Sequence, residues 1–562
     1  MTADPTHTFG GIGVSAGTAV GPLVLVRPAP QPPADEPPTT DPAAAWARVQ
    51  AVLEDVAAGL EARAESADAH AKPILEAGAM MARDPGLADG IEEKLGTGLG
   101  VTHAVAAAVE EYCAMFESLG GYMAERVTDL QDVRDRAVAR LLGEPEPGVP
   151  ALSVPSVLAA RDLAPAETAT LTARTCLGII TEAGGPTSHT AILAAQLGIP
   201  AVVQAVGILS VPAGTLVALD GGAGEVTVDP TDDEVDALAE RRRRREAALS
   251  GGTGNGSTKD GHAVALLANI GTVEDARRAA SQAVEGVGLF RTEFLFLDRD
   301  TMPTVAEQTA TYTQVFEAFG DRRVVVRTLD AGADKPLKFA DLGPEENPAL
   351  GRRGLRLGRI RTEVLDTQLE ALAAAHRATG ADVRVMAPMV ATQAEAMWFA
   401  DRVRALGLPK VGVMIEVPAA AVRSRDILAH VDFASLGTND LQQYTMAADR
   451  MQGELAALLD PWEPALLDVV AMACEGGQAT GKPIGVCGEA GGDPGRALVL
   501  VGLGVSSLSM APSKVAAVRT ALAAHTLDQC RQFAAAARAA GSAAEAKQAV
   551  LAIADPVLAD LA

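Results

Sequence analysis

Aromatic residues and cysteines are scarce in this chain of 562 residues. Aromatics make up 3% of the sequence against 48% hydrophobic residues overall, so Ala, Val and Leu must fill the cores. The five cysteines are scattered without a CxxC pair and show neither a disulfide pattern nor a zinc-binding pattern. This cysteine usage suits a reducing compartment, and we expect a cytoplasmic protein.

Long apolar runs and an excess of positive charge are also missing. Residues 1–10 are polar, unlike a signal peptide, and no apolar run is long enough to span a bilayer. The net charge of −25 argues against nucleic acid or an anionic membrane as a general partner, and it suits a basic protein partner. The five consecutive arginines Arg241–Arg245 are an exception to this acidic character. Because Glu240 and Glu246 flank them, this run favours a solvated linker helix over a nucleic-acid site.

The length corresponds to roughly three to four domains. Short strands are predicted from Phe9 to Val26, whereas the Ala-, Glu-, Leu- and Arg-rich stretch from Ala43 to Leu142 predicts helices. We therefore expect an α/β domain (residues 1–34 and 144–230) interrupted by an all-helical insert (residues 35–143). A linker helix and hinge (residues 231–257) would follow, since residues 251–257 are rich in Gly and Ser.

The C-terminal half alternates short apolar runs with helical stretches. Eight such units in about 300 residues predict a (β/α)8 barrel over residues 258–562. The predicted strands are Val264–Ala268, Val287–Phe290, Val324–Arg327, Val383–Met389, Val411–Ile415, Phe433–Leu436, Pro483–Val486 and Ser506–Met510.

Polar residues stand where these strands end, and in such barrels they converge on one mouth. They are Asn269, Arg291, Arg327, Glu416, Asn439, Asp440 and Cys487. Any one alone would be explained as a cap or a surface residue, but so many together indicate a site. The guanidinium groups of Arg291, Arg327, Arg353 and Arg450 could hold a carboxylate and a phosphate, with Lys335 as a further cation.

Two of the strand-end groups suggest chemistry beyond binding. Glu416 and Asp440 offer oxygen ligands suited to Mg²⁺, which takes one or two carboxylates plus substrate oxygens. Cys487 lies among glycines in Gly485–Glu489. A lone cysteine is commonly a buried, inert thiol, but flanking glycines at a barrel mouth favour access and a role in proton transfer.

The stretch Gly184–Ile192 reads GGPTSHTAI, a turn followed by an apolar helical run. His189 then stands at or near a helix N-terminus, where the exposed N–H groups favour an anion over an imidazolium. A neutral imidazole is a good nucleophile, and those groups would stabilise a phosphate that it acquires. On local chemistry alone, an ordinary helix-cap histidine is an equal alternative.

The whole nonamer resembles the phosphohistidine motif shared by enzyme I of the bacterial sugar phosphotransferase system, pyruvate phosphate dikinase and phosphoenolpyruvate synthase. The resemblance extends through Glu285–Phe296, Val326–Asp330, Gly412–Pro418, Leu436–Leu441 and Gly485–Glu489. It implies that His189 takes a phosphoryl group from phosphoenolpyruvate.

The same resemblance implies roles at the barrel mouth. Arginines at 291, 327, 353 and 450, together with Asn439, would bind phosphoenolpyruvate. Glu416 and Asp440 would bind Mg²⁺, and Cys487 would protonate the enolpyruvate carbon. A homodimer is implied as well, by the resemblance only.

Within this family the sequence favours enzyme I. Only 188 residues precede His189, too few for the ATP-grasp domain of the dikinase and the synthase. Instead, the helical insert with Asp129–Asp135 resembles the docking subdomain for the phosphocarrier HPr. We therefore expect transfer from phosphoenolpyruvate to His189 and on to HPr, with release of pyruvate and a domain rotation about Thr231–Ser257. An inactive scaffold would lack His189, Glu416 or Cys487, and a carbon–carbon lyase would need neither His189 nor the insert.

Overall fold

The computed structural model describes residues 7–66, 71–119, 126–150, 152, 154–163, 171–185, 188–250, 254–297, 299–331, 337–340, 342–343, 345–450 and 452–561. The chain divides into two compact units, Met1–Arg242 and Arg243–Ala562. The division falls within the helix Asp232–Ser250, which contains the arginine run.

An eight-stranded mixed sheet forms the framework of the first unit. Its strands are β1 (Thr8–Gly10), β2 (Ile12–Ser15), β3 (Thr18–Leu25), β4 (Ser156–Ala160), β5 (Cys176–Thr181), β6 (Ala201–Val203), β7 (Leu216–Asp220) and β8 (Glu225–Val228). The spatial order is β1-β8-β7-β3-β4-β5-β6-β2, and β3 to β6 run parallel. Parallel strands need both faces covered, and β4 is accordingly buried along its whole length.

Among the described residues, five helices lie between β3 and β4 in the sequence, and they have a hydrophobic core of their own. They span Pro42–Ser66, Ala71–Ala82, Pro85–Gly96, Val101–Leu119 and Val127–Leu142. Their apolar residues follow helical spacing; Leu87, Ile91 and Leu95, four residues apart, are all fully buried. Asp84 caps the third helix, and the Glu36 carboxylate accepts the first N–H groups of the fourth.

Eight parallel strands close into a barrel in the second unit. They are β9 (Ala265–Ile270), β10 (Gly286–Arg291), β11 (Arg323–Arg327), β12 (Val383–Ala387), β13 (Lys410–Ile415), β14 (Phe433–Leu436), β15 (Ile484–Val486) and β16 (Ser507–Met510). The barrel closes by pairing of β16 with β9. The predicted fold class, an N-terminal α/β region with a C-terminal (β/α)8 barrel, is confirmed.

One predicted strand ends earlier than expected. The apolar run Val383–Met389 is a strand only as far as Ala387. Pro388 has no N–H to donate to the ladder, and Met389 takes the left-handed conformation with φ of 57°. The turn that ends β12 here leads directly to the mouth of the barrel.

Helices surround the barrel and bury its outer face in the largest core of the molecule. They span Val273–Ala280, Val305–Phe319, Leu355–Ile360, Thr362–Thr379, Gln393–Ala405, Pro418–Val422, Ser424–Leu428, Thr438–Met446, Pro464–Thr480, Pro494–Leu503, Val515–Ala524, Leu527–Arg538, Ala543–Ile553 and Val557–Leu561. No helix among the described residues is long and apolar enough to cross a membrane.

Candidate functional site

The carboxyl ends of the barrel strands carry a dense group of charged side chains. Arg327 ends β11, and Glu416, Asp440 and Cys487 follow β13, β14 and β15 within a few residues. All four side chains are largely or fully buried, and electrostatic interactions link them. The topology thus brings these predicted residues together at one end of the barrel.

Five of the charged residues form a continuous chain of alternating sign, called here the charge chain: Glu293, Arg327, Asp330, Arg353 and Asp440. Arg327 Nη2 donates to Glu293 Oε1 at 2.9 Å, and its Nη1 lies 3.2 Å from Asp330 Oδ2. Arg353 Nη2 donates to the same Asp330 oxygen at 2.9 Å. Arg353 Nη1 donates to Asp440 Oδ1, also at 2.9 Å. Each guanidinium is therefore held between two carboxylates.

Mutual attraction in this chain outweighs the cost of burial. Burial alone would raise the pKa of Asp330, but Arg327 and Arg353 hold it below its usual value. Burial likewise opposes the charged form of Arg327, and Glu293 and Asp330 reverse that effect, so the arginine pKa is raised. Asp330 and the two arginines are therefore favoured in their charged forms, and the ion pairs fix both arginines in place.

Among the buried polar atoms that lack a hydrogen-bond partner in the described residues, two belong to charged side chains of the mouth. One is a donor, Nε of Arg327, and the other an acceptor, Oε2 of Glu416. The second oxygen of Glu416 accepts from the backbone N–H of Met389 at 2.5 Å. Buried polar atoms are normally satisfied, so an unpaired donor and an unpaired acceptor in one mouth are what an anion with an accompanying cation would complete.

The charged form of Glu416 is disfavoured by its surroundings, and a bound cation would stabilise it. Burial, together with the nearby carboxylates of Asp440 and Asp330, raises the pKa of Glu416 to about 8. Among the described residues no group of three or more His, Cys, Asp or Glu is arranged to hold a metal ion. Two carboxylates fit the donor set of a divalent cation that takes its remaining oxygens from substrate and water.

Cys487 lies between the mouth and the apolar interior of the barrel. Its side chain is 2% exposed and packs with Leu289, Met386 and Met414 inside the strands. The thiol donates to Leu436 O at 3.5 Å. Burial raises the pKa of Cys487 to about 11, so the thiol holds its proton at neutral pH. The group is thus suited to act as a proton donor rather than as a nucleophile.

A second layer of neutral side chains fixes the loops that carry the charge chain. Gln368 is fully buried; its Oε1 accepts from Leu329 N at 2.8 Å, and its Nε2 donates to Thr292 Oγ1 and to the Tyr312 hydroxyl. Thr292 Oγ1 in turn donates to Arg327 O at 2.9 Å. The ends of β10 and β11 are therefore tied together behind the arginines.

The other predicted residues stand at the edge of this mouth or outside the described chain. Arg291, Asn439 and Arg450 are exposed, and Arg450 lies close enough to contribute to the low pKa of Asp330. Asn269 donates from Nδ2 to Cys487 O at 3.2 Å. Lys335 lies outside the described residues. Arg352, next to Arg353, bonds Glu345 instead of the charge chain.

The predicted histidine motif lies in the first unit, at the start of a helix. This helix spans His189–Leu197, and Ser188 caps it by accepting from Ala191 N at 3.3 Å. Thr190 Oγ1 donates to Asp162 Oδ1, and Gln204 Nε2 donates to Gly184 O at 3.0 Å. The side chain of His189, with Pro186 and Thr187, lies outside the described part of the structure.

Sequence reasoning missed several groups at the mouth. Glu293 and Asp330 are the carboxylates that hold the arginines, and the N–H of Met389 holds Glu416. Both acids stand within three residues after an arginine at a strand end, in Arg291–Glu293 and in Arg327–Asp330. That recurrence of an acid after an arginine is the signal that could have revealed them.

Comparisons with known proteins define the class of protein to which this chain belongs. Residues 250–527 match the family described as PEP-utilising enzyme, PEP-binding domain. Residues 10–126 match its N-terminal domain, and residues 152–224, which include His189, match its mobile domain. The barrel mouth and the histidine motif therefore belong to two parts of a phosphoenolpyruvate-utilising enzyme.

Relatives that match nearly the whole chain identify the kind of phosphoenolpyruvate-utilising enzyme. The phosphoenolpyruvate-protein phosphotransferase of Streptomyces coelicolor is 52% identical over 97% of this chain and 99% of its own length. The protein of the same name from Haloferax volcanii is 39% identical over 92% of this chain and 94% of its own. A solution structure of an enzyme I protein is 32% identical over 42% of this chain and 99% of that one, with a TM-score of 0.38. The chain belongs to the phosphoenolpyruvate-protein phosphotransferase family and is a phosphotransferase.

Proposed function

We propose that the chain moves the phosphoryl group of phosphoenolpyruvate to His189 and then to the phosphocarrier protein HPr, with release of pyruvate. The charge chain at the barrel mouth carries this proposal. Its two buried guanidinium groups suit a substrate that bears both a phosphate and a carboxylate, because a guanidinium donates charge-assisted hydrogen bonds to either group.

In this mechanism the arginines bind and orient the substrate. Arg327 and Arg353 approach it from within the charge chain, and Arg291, Arg450 and Asn439 complete the contacts from the rim. Lys335 is proposed as a further cation. Since Glu293 and Asp330 fix Arg327 from behind, its unpaired Nε is already placed when the anion arrives. Donors positioned in advance cost little reorganisation during the reaction.

Glu416 and Asp440 are the residues we propose for Mg²⁺. The bound ion would neutralise charge on the transferring phosphoryl group. The unpaired Oε2 of Glu416 and the raised pKa of this carboxyl support the assignment, because a cation would satisfy the unpaired oxygen and offset the effects of burial and of the Asp440 and Asp330 carboxylates.

The chemical step uses one group from each unit. The imidazole of His189 forms a bond to phosphorus while the bond from phosphorus to the enol oxygen breaks, leaving the enolate of pyruvate. The Cys487 thiol then gives its proton to the methylene carbon of the enolate, which yields pyruvate, and the thiolate regains a proton from solvent. The high pKa of Cys487 supports this role, because the thiol is fully protonated before each turnover.

The helical insert is the surface we propose for HPr. It has its own hydrophobic core, and the segment Asp129–Asp135 lies on its last helix, Val127–Leu142. Arg136 anchors that helix, donating to Asp132 at 2.7 Å and to Glu146 at 2.8 Å. A helical platform on a protein of net charge −25 suits a small basic partner.

A labelling experiment tests the proposal. The purified protein is incubated with ³²P-phosphoenolpyruvate and Mg²⁺ beside a His189→Ala control, and HPr is then added. We expect an acid-labile label on the wild type only, and its transfer to HPr with one pyruvate released per phosphoryl group. A label that passes only to a nucleotide would assign the chain to the dikinase side of the family. No label on the wild type would refute the proposal altogether.

A further inference from the structure

Arg353 occupies a position that a catalytic cation also needs. Its side chain is 8% exposed, and Nη1 donates to Asp440 Oδ1 at 2.9 Å. Asp440 is one of the two carboxylates proposed above for Mg²⁺. A divalent cation on this carboxylate would lie next to a guanidinium of the same sign, in a buried setting where water screens the repulsion poorly.

We infer that Arg353 and the divalent cation compete for Asp440, and that phosphoenolpyruvate resolves the competition by drawing Arg353 onto its own anionic groups. This inference rests on the proposed function, since it concerns the metal site assigned there. It goes beyond that function in predicting an order: the substrate prepares the cation site by removing a positive charge from it.

The contacts of Arg353 allow such an exchange at a single edge of the guanidinium. The opposite edge is held by Asp330, through Nη2 at 2.9 Å and Nε at 3.4 Å. Only Nη1 faces Asp440, and it also lies 3.4 Å from the hydroxyl oxygen of Tyr444. Nη1 can therefore leave Asp440 while Asp330 still anchors the side chain.

The neighbouring arginine provides an internal comparison. Arg327 is as deeply placed in the charge chain and also lies near Glu416, but its ion pairs are with Glu293 and Asp330 and not with Asp440. A general effect of positive charge on the cation site would involve both arginines. A competition for Asp440 involves only Arg353.

The test measures cation binding directly, with Mn²⁺ as the probe and water-proton relaxation as the readout. All variants are full-length and carry His189→Ala, so that added phosphoenolpyruvate binds without turnover. We expect the His189→Ala parent to bind Mn²⁺ weakly alone and about tenfold or more tightly with phosphoenolpyruvate, a coupling of ordinary size. Arg353→Lys keeps the charge but cannot reach Asp330 and Asp440 together.

Arg353→Lys should therefore bind Mn²⁺ alone several-fold more tightly than the parent and lose most of the enhancement by phosphoenolpyruvate. The matched control Arg327→Lys should leave the binding of Mn²⁺ alone within about twofold of the parent. Circular dichroism and thermal unfolding verify the fold of each variant. If Arg353→Lys binds Mn²⁺ alone no better than the parent, or if both variants gain equally, the competition is refuted. If the parent binds no Mn²⁺ even with phosphoenolpyruvate, the proposed metal site itself fails, and the inference falls with it.

Discussion

The barrel mouth and the histidine-bearing turn are built in opposite ways. At the mouth, buried charges hold one another: Arg327 and Arg353 each lie between two carboxylates, and a second layer of neutral side chains fixes the loops behind them. At the turn, Ser188 accepts a hydrogen bond from a backbone N–H, Gln204 donates one to a backbone carbonyl, and Asp162 accepts one from a hydroxyl.

Under the function proposed above, the difference follows from what each region would have to do. A site that receives a highly charged anion needs positive groups that are already buried and oriented toward it. Burying a guanidinium group costs free energy, and the neighbouring carboxylates offset that cost. A turn that presents one histidine at a helix start needs only its backbone held, because the N–H groups of the helix supply the favourable field for a phosphate. The comparison predicts that equivalent changes have unequal effects in the two regions.

The strongest test of the comparison is Asp330→Asn. Both oxygens of Asp330 accept from arginines, so an amide would turn a donor toward a guanidinium and leave two buried charges undercompensated. Breaking a buried pair in this way costs about 3–5 kcal/mol. We expect a large loss of stability in the thermal unfolding of the barrel and weaker binding of phosphoenolpyruvate.

Asp366→Asn is the matched control for that change. Asp366 also pairs with an arginine of the barrel unit, Arg402 at 2.5 Å, but both side chains are substantially exposed. Exposed pairs contribute about 0–1 kcal/mol. Equal losses in the two variants would show that burial of the charge chain has no special energetic weight.

Cys487→Ala tests the chemistry of the mouth instead of its framework. Removing a general acid lowers turnover by about 10²- to 10⁴-fold. We expect this loss in pyruvate release, measured with a coupled lactate dehydrogenase assay, while phosphoenolpyruvate still binds. Because the thiol pKa is about 11, ionisation of Cys487 should reduce the wild-type rate only as the pH rises toward that value.

Cys474→Ala separates chemistry from packing in this prediction. Cys474 is also a buried thiol of the barrel unit, on the helix Pro464–Thr480, and burial raises its pKa to about 12. The Cys474→Ala variant should be less stable than the wild type but should keep its turnover rate. A Cys487→Ala variant that turns over at the wild-type rate would exclude the thiol as the proton donor.

The turn should respond more weakly, beginning with Ser188→Ala. The Ser188 hydroxyl caps the helix that starts at His189, and loss of such a cap costs about 1 kcal/mol. We expect a small decrease in the unfolding temperature of the first unit and little change in the binding of phosphoenolpyruvate. Ser188→Thr, which keeps a hydroxyl acceptor, should restore the stability; a loss that Thr does not restore would point to a role other than capping.

How far the sequence predicts these regions depends on the range of the interactions. The barrel strands were predictable because each is a local apolar run, and observed β14 coincides with the predicted Phe433–Leu436. The pairing of Arg353 with Asp330 and Asp440 was not, because it joins residues 23 and 87 positions apart. Such partners are set by the register of neighbouring strands and by loop paths, which no local pattern reports. The left-handed turn at Met389 escaped prediction for the same reason: its N–H serves the distant Glu416.

The smallest effect is expected for Asp162→Asn, the same substitution as Asp330→Asn placed in the other region. Asp162 Oδ1 accepts from Leu163 N at 2.9 Å and from Thr190 Oγ1 at 3.1 Å. An amide oxygen can accept both bonds, so only the extra strength of a charged acceptor is lost, about 0.5 kcal/mol. Thermal unfolding and the rate of His189 labelling are measured for Asp330→Asn and Asp162→Asn. The comparison shows whether each carboxylate is needed for its negative charge or only for its shape and hydrogen bonds. A loss at Asp162 as large as that at Asp330 would mean that the turn also depends on a fixed negative charge, and the contrast between the two regions would then be wrong.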